Sequence, residues 1–161
     1  MSSKEEMPAS LHFKELLRKF NEHQVRYLVV GAYAVMKYTE PRYTKDLDVW
    51  VDPTSDNAAR VFRALAGCGA PMADVTVEDF TNPDLIFQVG MAPHRIDVIM
   101  GVKGLTFPEA WSRQVETEFE GETIRLVCKP DLIISKEAAG RPQDLIDLDH
   151  LRQSDETKTK T

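Results

Sequence analysis

The segment TEPRYTKDLDVWVD, from Thr39 to Asp52, combines the pattern of an apolar strand with two closely spaced carboxylates. Every second residue is apolar over its second half, which predicts a β-strand over residues 46–51 with one buried face, formed by Leu47, Val49 and Val51. Residues two apart in a strand point to the same side, so Asp46 and Asp48 project together. Because neighbouring like charges repel, we expect a cation between them. Mg²⁺ suits this position, since one or two carboxylates commonly hold it in proteins.

An isolated Asp-x-Asp pair is a weak indication, because both carboxylates could be solvated or paired with Lys45 or Arg42. The residues before the segment favour the metal interpretation. The apolar run VRYLVVG ends at Gly31, where a short helix, AYAVMKY, is predicted to begin. Free backbone N–H groups and the helix dipole attract anions at such a junction, and glycine lets a phosphate approach the backbone. The alternative is that Gly31 is a simple turn residue.

A third carboxylate, Asp97, interrupts the later apolar run RIDVIM. A charge within a strand is disfavoured unless it is partnered or functional. Arg95 shares its face and could form an ion pair with it. If this strand lies beside the one that carries Asp46 and Asp48, Asp97 completes a group of three carboxylates. It could then be a metal ligand or accept a proton from an attacking hydroxyl.

The composition limits the number of domains, the location and the binding partners that we expect. The chain has 161 residues, 42% hydrophobic and 29% charged, which fits one globular domain, expected over residues 1–153 with a disordered polar tail over 154–161. No apolar run is long enough for a membrane helix, and the N-terminus has no signal-peptide core, so we expect a cytoplasmic protein without membrane partners. The net charge of −6 disfavours non-specific nucleic-acid binding.

The predicted order of elements is helix, strand, helix, strand, helix, four strands with one short helix, and two helices. The later strands are expected at 84–90, at 94–100 and on both sides of Glu120-Gly121, while Pro108, Pro130 and Pro142 mark the starts of helices. This alternation, with several hairpins, predicts a mixed sheet in an α/β (α+β) protein.

Taken together, VVGAYAV, RYTKDLDVWVD and RIDVI resemble the nucleotidyltransferase superfamily with the polymerase-beta-like palm. That signature is an apolar residue, Gly and then Gly or Ser, followed by Asp-apolar-Asp and later a third Asp. Val30-Gly31, Asp46-Leu47-Asp48 and Asp97 match it. The resemblance implies a palm-like mixed twisted sheet of about five to six strands, with helices mainly on one face.

Within the superfamily, the chain resembles small members related to antibiotic nucleotidyltransferases and to nucleotidyltransferase toxins of abortive-infection systems. Arg42-x-Thr44-x-Asp46 is typical of these, as is a later theme formed by Lys136, Arg141, Asp144 and Asp147. Asp144 and Asp147 are neighbours on a helix, and we expect them to pair with Arg141 or Lys136 or to be solvated.

The resemblance implies transfer of a nucleoside monophosphate from an NTP, such as ATP, to a hydroxyl acceptor, with release of pyrophosphate. One or two Mg²⁺ ions are implied as cofactors, held by Asp46, Asp48 and Asp97, with Asp97 as ligand or base. The nucleotide-binding residues implied are Gly31, Ala32, Arg42, Thr44 and Lys136. An exposed helix lysine is the alternative for Lys136.

Ala32 departs from the family pattern, because Gly or Ser is usual at this position. This leaves open a catalytically weak or inactive module that binds a nucleotide or a partner. The acceptor is expected to be a small molecule, or an RNA or protein if the chain is a toxin. A second subunit or an antitoxin is a further expected partner.

Overall fold

The computed structural model describes residues 9–40, 46–90 and 95–159. The helices are α1 (Ala9–Glu22), α2 (Gly31–Tyr38), α3 (Ser55–Gly67), α4 (Phe107–Ser112), α5 (Lys129–Ala139) and α6 (Pro142–Thr159). The strands are β1 (Tyr27–Val30), β2 (Asp46–Val51), β3 (Ile86–Val89), β4 (Arg95–Ile99), β5 (Val115–Phe119) and β6 (Glu122–Leu126). Their order and types agree with those predicted from the sequence.

A short 3₁₀ helix, Val77–Thr81, is an element that the hydrophobic pattern did not predict. It begins with a capping box, in which the Thr76 backbone N–H donates to the Asp79 carboxylate at 2.9 Å. At the other end of the chain, α6 remains helical past residue 154, where the polar tail was expected to begin.

The six strands form one mixed sheet in the order β3-β4-β2-β1-β6-β5. β1 runs antiparallel to β2 and parallel to β6, while β2 runs parallel to β4. The mixed sheet of six strands confirms the predicted fold class. Its centre is the pair β1 and β2, so Asp46 and Asp48 lie on one of the two central strands.

One face of β2 builds the main core. Leu47, Val49 and Val51 are buried there, and α1 packs on the same side through Phe20, whose ring lies 5.6 Å from that of Tyr27. The other face is covered only in part. Trp50, at the far end of β2, packs edge-on against Phe107 of α4 with ring centroids 5.1 Å apart. The start of β2, with Asp46 and Asp48, lies beyond this aromatic contact.

No helix in the described parts of the chain has the length and apolar character needed to span a membrane.

Candidate active site

The pairing of β2 with β4 brings the predicted carboxylates together. The two strands are parallel, with Asp48 opposite Asp97 and Asp46 opposite Arg95. Paired residues of neighbouring strands point to the same face, so all three carboxylates share one side of the sheet. The strand that carries Asp97 therefore lies directly beside the strand that carries Asp46 and Asp48, which is the arrangement that a group of three carboxylates requires.

Gly31 lies against Asp48. It is the first residue of α2, and the preceding residue, Val30, pairs with Asp48 across β1 and β2. Its φ of +70° belongs to the left-handed region that favours glycine, and a Cβ at this position would lie 2.9 Å from the Asp48 Cγ. The first turn of α2 thus begins immediately beside the Asp48 carboxylate, which only a residue without a side chain permits.

Arg95 is the cation found among the carboxylates. Its Nε donates to Asp97 Oδ1 at 3.1 Å, and its Nη2 lies 3.9 Å from Asp46 Oδ2. The pair with Asp97 was one of the two interpretations that the sequence left open. The approach to Asp46 was missed, because it depends on the register between β2 and β4. If the parallel pairing of β2 and β4 had been known in advance, it would have indicated the contact between Arg95 and Asp46.

Asp48 titrates unusually. Burial raises the pKa of its carboxyl, as do the nearby charges of Asp97 and Asp46, and the value reaches about 6. Lys136 and Arg95 act in the opposite direction without cancelling this effect. Negative charge is therefore in excess around Asp48, and an additional cation would be stabilised there.

The donor types suit Mg²⁺, since oxygen ligands from one or two carboxylates are its usual protein ligands. In the arrangement described, however, no three His, Cys, Asp or Glu side chains of residues 9–40, 46–90 and 95–159 already form a group that could hold a metal ion. The Arg95 guanidinium lies on two of the three carboxylates instead. The residues fit a divalent cation by chemistry and by position on the sheet, but their side chains would have to rearrange to bind it.

Lys136, Asp144 and Asp147 form a buried ionic cluster, to which the exposed Arg141 also donates. Lys136 Nζ lies 3.1 Å from Asp144 Oδ1 and 3.1 Å from Asp147 Oδ2, and Arg141 Nε lies 2.7 Å from Asp144 Oδ2. The predicted ion pairs of the two aspartates are confirmed. Both aspartates are almost fully buried and so is Lys136, which is therefore not an exposed helix lysine.

Burial by itself would raise the pKa of the Asp144 carboxyl. Hydrogen bonds from Arg141 and Lys136 outweigh that effect and lower the pKa to about 2. Asp144 is therefore ionised at neutral pH, and the cluster joins α5 to α6 through charge-assisted hydrogen bonds.

Two of the predicted nucleotide-binding residues, Arg42 and Thr44, lie outside the described residues. Ala32 is half-buried in the first turn of α2, next to Gly31. Trp50, which shares a strand face with the aspartates, is 2% exposed and packs against Phe107. Its ring is a core group.

A separate cavity of about 630 Å³ lies at the opposite end of the strands. Its lining includes Arg26, Trp111, Glu122 and Arg125, and none of the predicted site residues. Arg26 immediately precedes β1, whereas Gly31 follows the end of that strand. The cavity is therefore separate from the carboxylates, which remain the candidate site.

The fold is shared with known nucleotidyltransferases. A lincosamide antibiotic adenylyltransferase, LnuA, solved with lincomycin bound, superposes with a TM-score of 0.56 at 14% identity, covering 88% of this chain and 94% of that one. The antibiotic-resistance factor ANT(2'')-Ia superposes with a TM-score of 0.57 at 11% identity, covering 90% of this chain and 81% of that one. A candidate nucleotidyltransferase from Thermotoga maritima gives 0.55 at 12% identity, covering 88% of each chain. At these identities the likeness shows the fold alone.

The sequence comparisons are more specific about the family. No curated protein matches the chain significantly. Residues 9–160 match the family described as "Nucleotidyl transferase of unknown function (DUF2204)". Since the match covers nearly the whole chain, the protein belongs to this nucleotidyl transferase family.

Proposed function

We propose that the protein is a Mg²⁺-dependent nucleotidyltransferase, which moves a nucleoside monophosphate from an NTP to a hydroxyl acceptor and releases pyrophosphate. One observation carries the proposal. Asp48 and Asp97 lie at paired positions of neighbouring parallel strands, with Asp46 on the same face and the start of α2 directly beside Asp48. Carboxylates for a cation and free backbone N–H groups for a phosphate are the two elements that a bound nucleoside triphosphate requires.

Each residue then has a distinct task. Asp46 and Asp48 would hold the metal, with Asp97 as a further ligand or as the base that takes the proton from the acceptor hydroxyl. The backbone at Gly31 and Ala32 would contact phosphate oxygens. The acceptor oxygen forms a bond to the α-phosphorus while the bond from that phosphorus to pyrophosphate breaks. When bound, Mg²⁺ would supply charge neutralisation on the triphosphate.

A small hydroxylated molecule is the acceptor class that we favour. The chain covers 94% of a lincosamide antibiotic adenylyltransferase solved with lincomycin bound, so a fold of this extent accompanies a small bound molecule in another protein. The net charge of −6 disfavours a nucleic-acid acceptor.

A second candidate is a palm-like module that binds a nucleotide but does not turn it over. Ala32 favours it, since the family position usually carries Gly or Ser. The Arg95 ion pairs favour it as well, because a guanidinium already compensates part of the charge that a metal would neutralise.

Calorimetric titration separates these candidates. Mg²⁺ complexes of ATP, GTP, CTP and UTP are titrated into the wild-type protein, into Asp48→Ala and into Asp74→Ala, an exposed aspartate far from the cluster in sequence. Binding to wild type and Asp74→Ala, but not to Asp48→Ala, supports the site. No heat with any nucleotide would remove both candidates. Binding without pyrophosphate release, across a panel of hydroxyl acceptors, would favour the module.

A further inference from the structure

Arg95 occupies an unusual position for a surface arginine. It lies opposite Asp46 in the ladder between β2 and β4, and two residues before Asp97 on its own strand. Its guanidinium reaches both carboxylates, at 3.9 Å from Asp46 Oδ2 and 3.1 Å from Asp97 Oδ1. A single side chain thus supplies positive charge at the place where the proposed divalent cation would need two of its ligands.

The two ion pairs do not hold the Arg95 side chain permanently in one position. Its side chain is 42% exposed and that of Asp46 is 46% exposed, so water competes for both groups. Ion pairs this accessible contribute at most about 1 kcal/mol. Only the Asp97 side chain, at 15% exposure, is mostly withdrawn from solvent. The guanidinium can therefore give up its pair with Asp46 at small cost, whereas Asp97 needs another cation once the guanidinium leaves.

Charge favours its replacement by a metal ion. A divalent cation carries twice the charge of the Arg95 guanidinium in a smaller volume, so it compensates the carboxylates on this face more completely. The guanidinium already contacts one oxygen of Asp97 and lies near one oxygen of Asp46, so a metal ion that draws on both carboxylates competes with it. Among the described residues, the carboxylates do not already form a metal-binding group.

We propose that Arg95 is a tethered counter-ion, which occupies the cation position between Asp46 and Asp97 in the metal-free protein and is displaced when a divalent cation binds. This inference rests on the proposed function, since it concerns the same carboxylates. It differs from a purely supporting role, in which Arg95 holds Asp97 in place for the metal. If Arg95 competes with the metal ion, removal of its side chain strengthens metal binding. If it supports Asp97 as a ligand, the same removal weakens metal binding.

The test measures Mn²⁺ binding without nucleotide, by electron paramagnetic resonance of the free ion, so that activity plays no part. Arg95→Ala and the more conservative Arg95→Gln are compared with wild type. Arg63→Ala is the matched control, because it removes one positive charge from an exposed position on α3. Competition predicts that both Arg95 variants bind Mn²⁺ about threefold to tenfold more tightly than wild type, while Arg63→Ala changes the affinity by less than about twofold.

A second readout uses the melting temperature of the metal-free protein. Arg95→Ala and Arg95→Gln should melt below wild type in chelator, because Asp46 and Asp97 then lose their guanidinium partner, and added Mn²⁺ should restore more stability to the variants than to wild type. Equal or weaker Mn²⁺ binding by both Arg95 variants would overturn the counter-ion role and leave the proposed function standing. Failure of wild type and all variants to bind Mn²⁺ at millimolar concentration would overturn both.

Discussion

Gly31 and Asp48 are in such close contact that the glycine is a condition for the position of the carboxylate. A Cβ at Gly31 would lie 2.9 Å from the Asp48 Cγ, and the φ of +70° already disfavours any other residue. Gly31, which the sequence predicts as a phosphate contact, thus has a structural role. It leaves the space that the Asp48 carboxylate occupies, so these two parts of the family signature depend on each other.

Replacing Gly31 should therefore cost more than its backbone conformation alone. Gly69 provides the control, because its φ is +81° and a Cβ there would meet nothing within 4 Å. We expect Gly69→Ala to lower the free energy of unfolding by about 1 kcal/mol, and Gly31→Ala to lower it by roughly 1–3 kcal/mol more, as measured by urea unfolding.

A double-mutant cycle locates the origin of the extra cost. In an Asp48→Ala background the overlap with the carboxylate is removed and only the Cβ of residue 48, at 3.0 Å, remains close, so the Gly31→Ala substitution should cost less than in the wild type and approach the cost of Gly69→Ala. An equal cost of Gly31→Ala in both backgrounds would show that the contact with Asp48 is not what the glycine protects.

The buried ionic cluster between α5 and α6 should dominate the stability of that helix pair. Removing one member of a buried pair leaves the other charge uncompensated, so Asp144→Ala should cost about 3–5 kcal/mol. Asp149→Ala, at an exposed position of the same helix, should change the free energy of unfolding by less than about 0.5 kcal/mol. Chemical unfolding monitored by far-UV circular dichroism measures both, and a similar small effect at the two positions would argue against the cluster.

The same cluster predicts an acid transition. The pKa of Asp144 is lowered to about 2 from 3.8, so its stabilising contribution is fully present above pH 3.8 and is lost as the pH falls through 2. The wild-type protein should lose roughly 2 kcal/mol over this range through this group. The loss should be absent in Asp144→Asn, whose side chain does not titrate. Unfolding curves collected between pH 5 and pH 2 test this.

Asp48 predicts the opposite dependence in the metal-free protein. Its pKa is raised to about 6, so the stability that its protonated form contributes is fully present below pH 3.8 and is lost as the pH rises through 6. In chelator, Asp48→Asn should be more stable than wild type at pH 7 by roughly 2–3 kcal/mol, and the difference should vanish toward pH 4. Parallel unfolding curves for the two proteins between pH 4 and pH 8 would reveal a constant difference if Asp48 were not the group responsible.

Much of this arrangement could be predicted from the sequence, because the relevant signals are local. The alternation around Asp46 and Asp48, the apolar run that ends at Gly31, and the charge at Asp97 within a strand each depend on neighbouring residues. They place three carboxylates on two strands. Only the family resemblance suggested that these strands are adjacent, and the structure shows that they are paired in register.

The contacts that could not be predicted depend on how distant elements pack. Arg95 reaches Asp46 only because β4 lies parallel to β2, and Lys136 is buried only because α6 folds back over α5. Pairing of Asp144 and Asp147 with Arg141 or Lys136 was expected, but nothing local indicated that the two aspartates are buried. The 3₁₀ helix Val77–Thr81 was missed for a different reason, since so short an element has no hydrophobic period.

Transfer of label from an α-³²P-labelled NTP to an acceptor is the direct test of the proposed nucleotidyl transfer at Asp46, Asp48 and Asp97. The wild-type protein with Mg²⁺ is incubated with the nucleotide that it binds and with a panel of hydroxylated small molecules, beside Asp97→Asn and the exposed control Asp74→Asn. We expect label in one acceptor and an equal amount of pyrophosphate with wild type and Asp74→Asn. Asp97→Asn should lose at least about 10²-fold in rate while still binding the nucleotide. Undiminished transfer by Asp97→Asn would contradict the role of the paired Asp48 and Asp97 carboxylates.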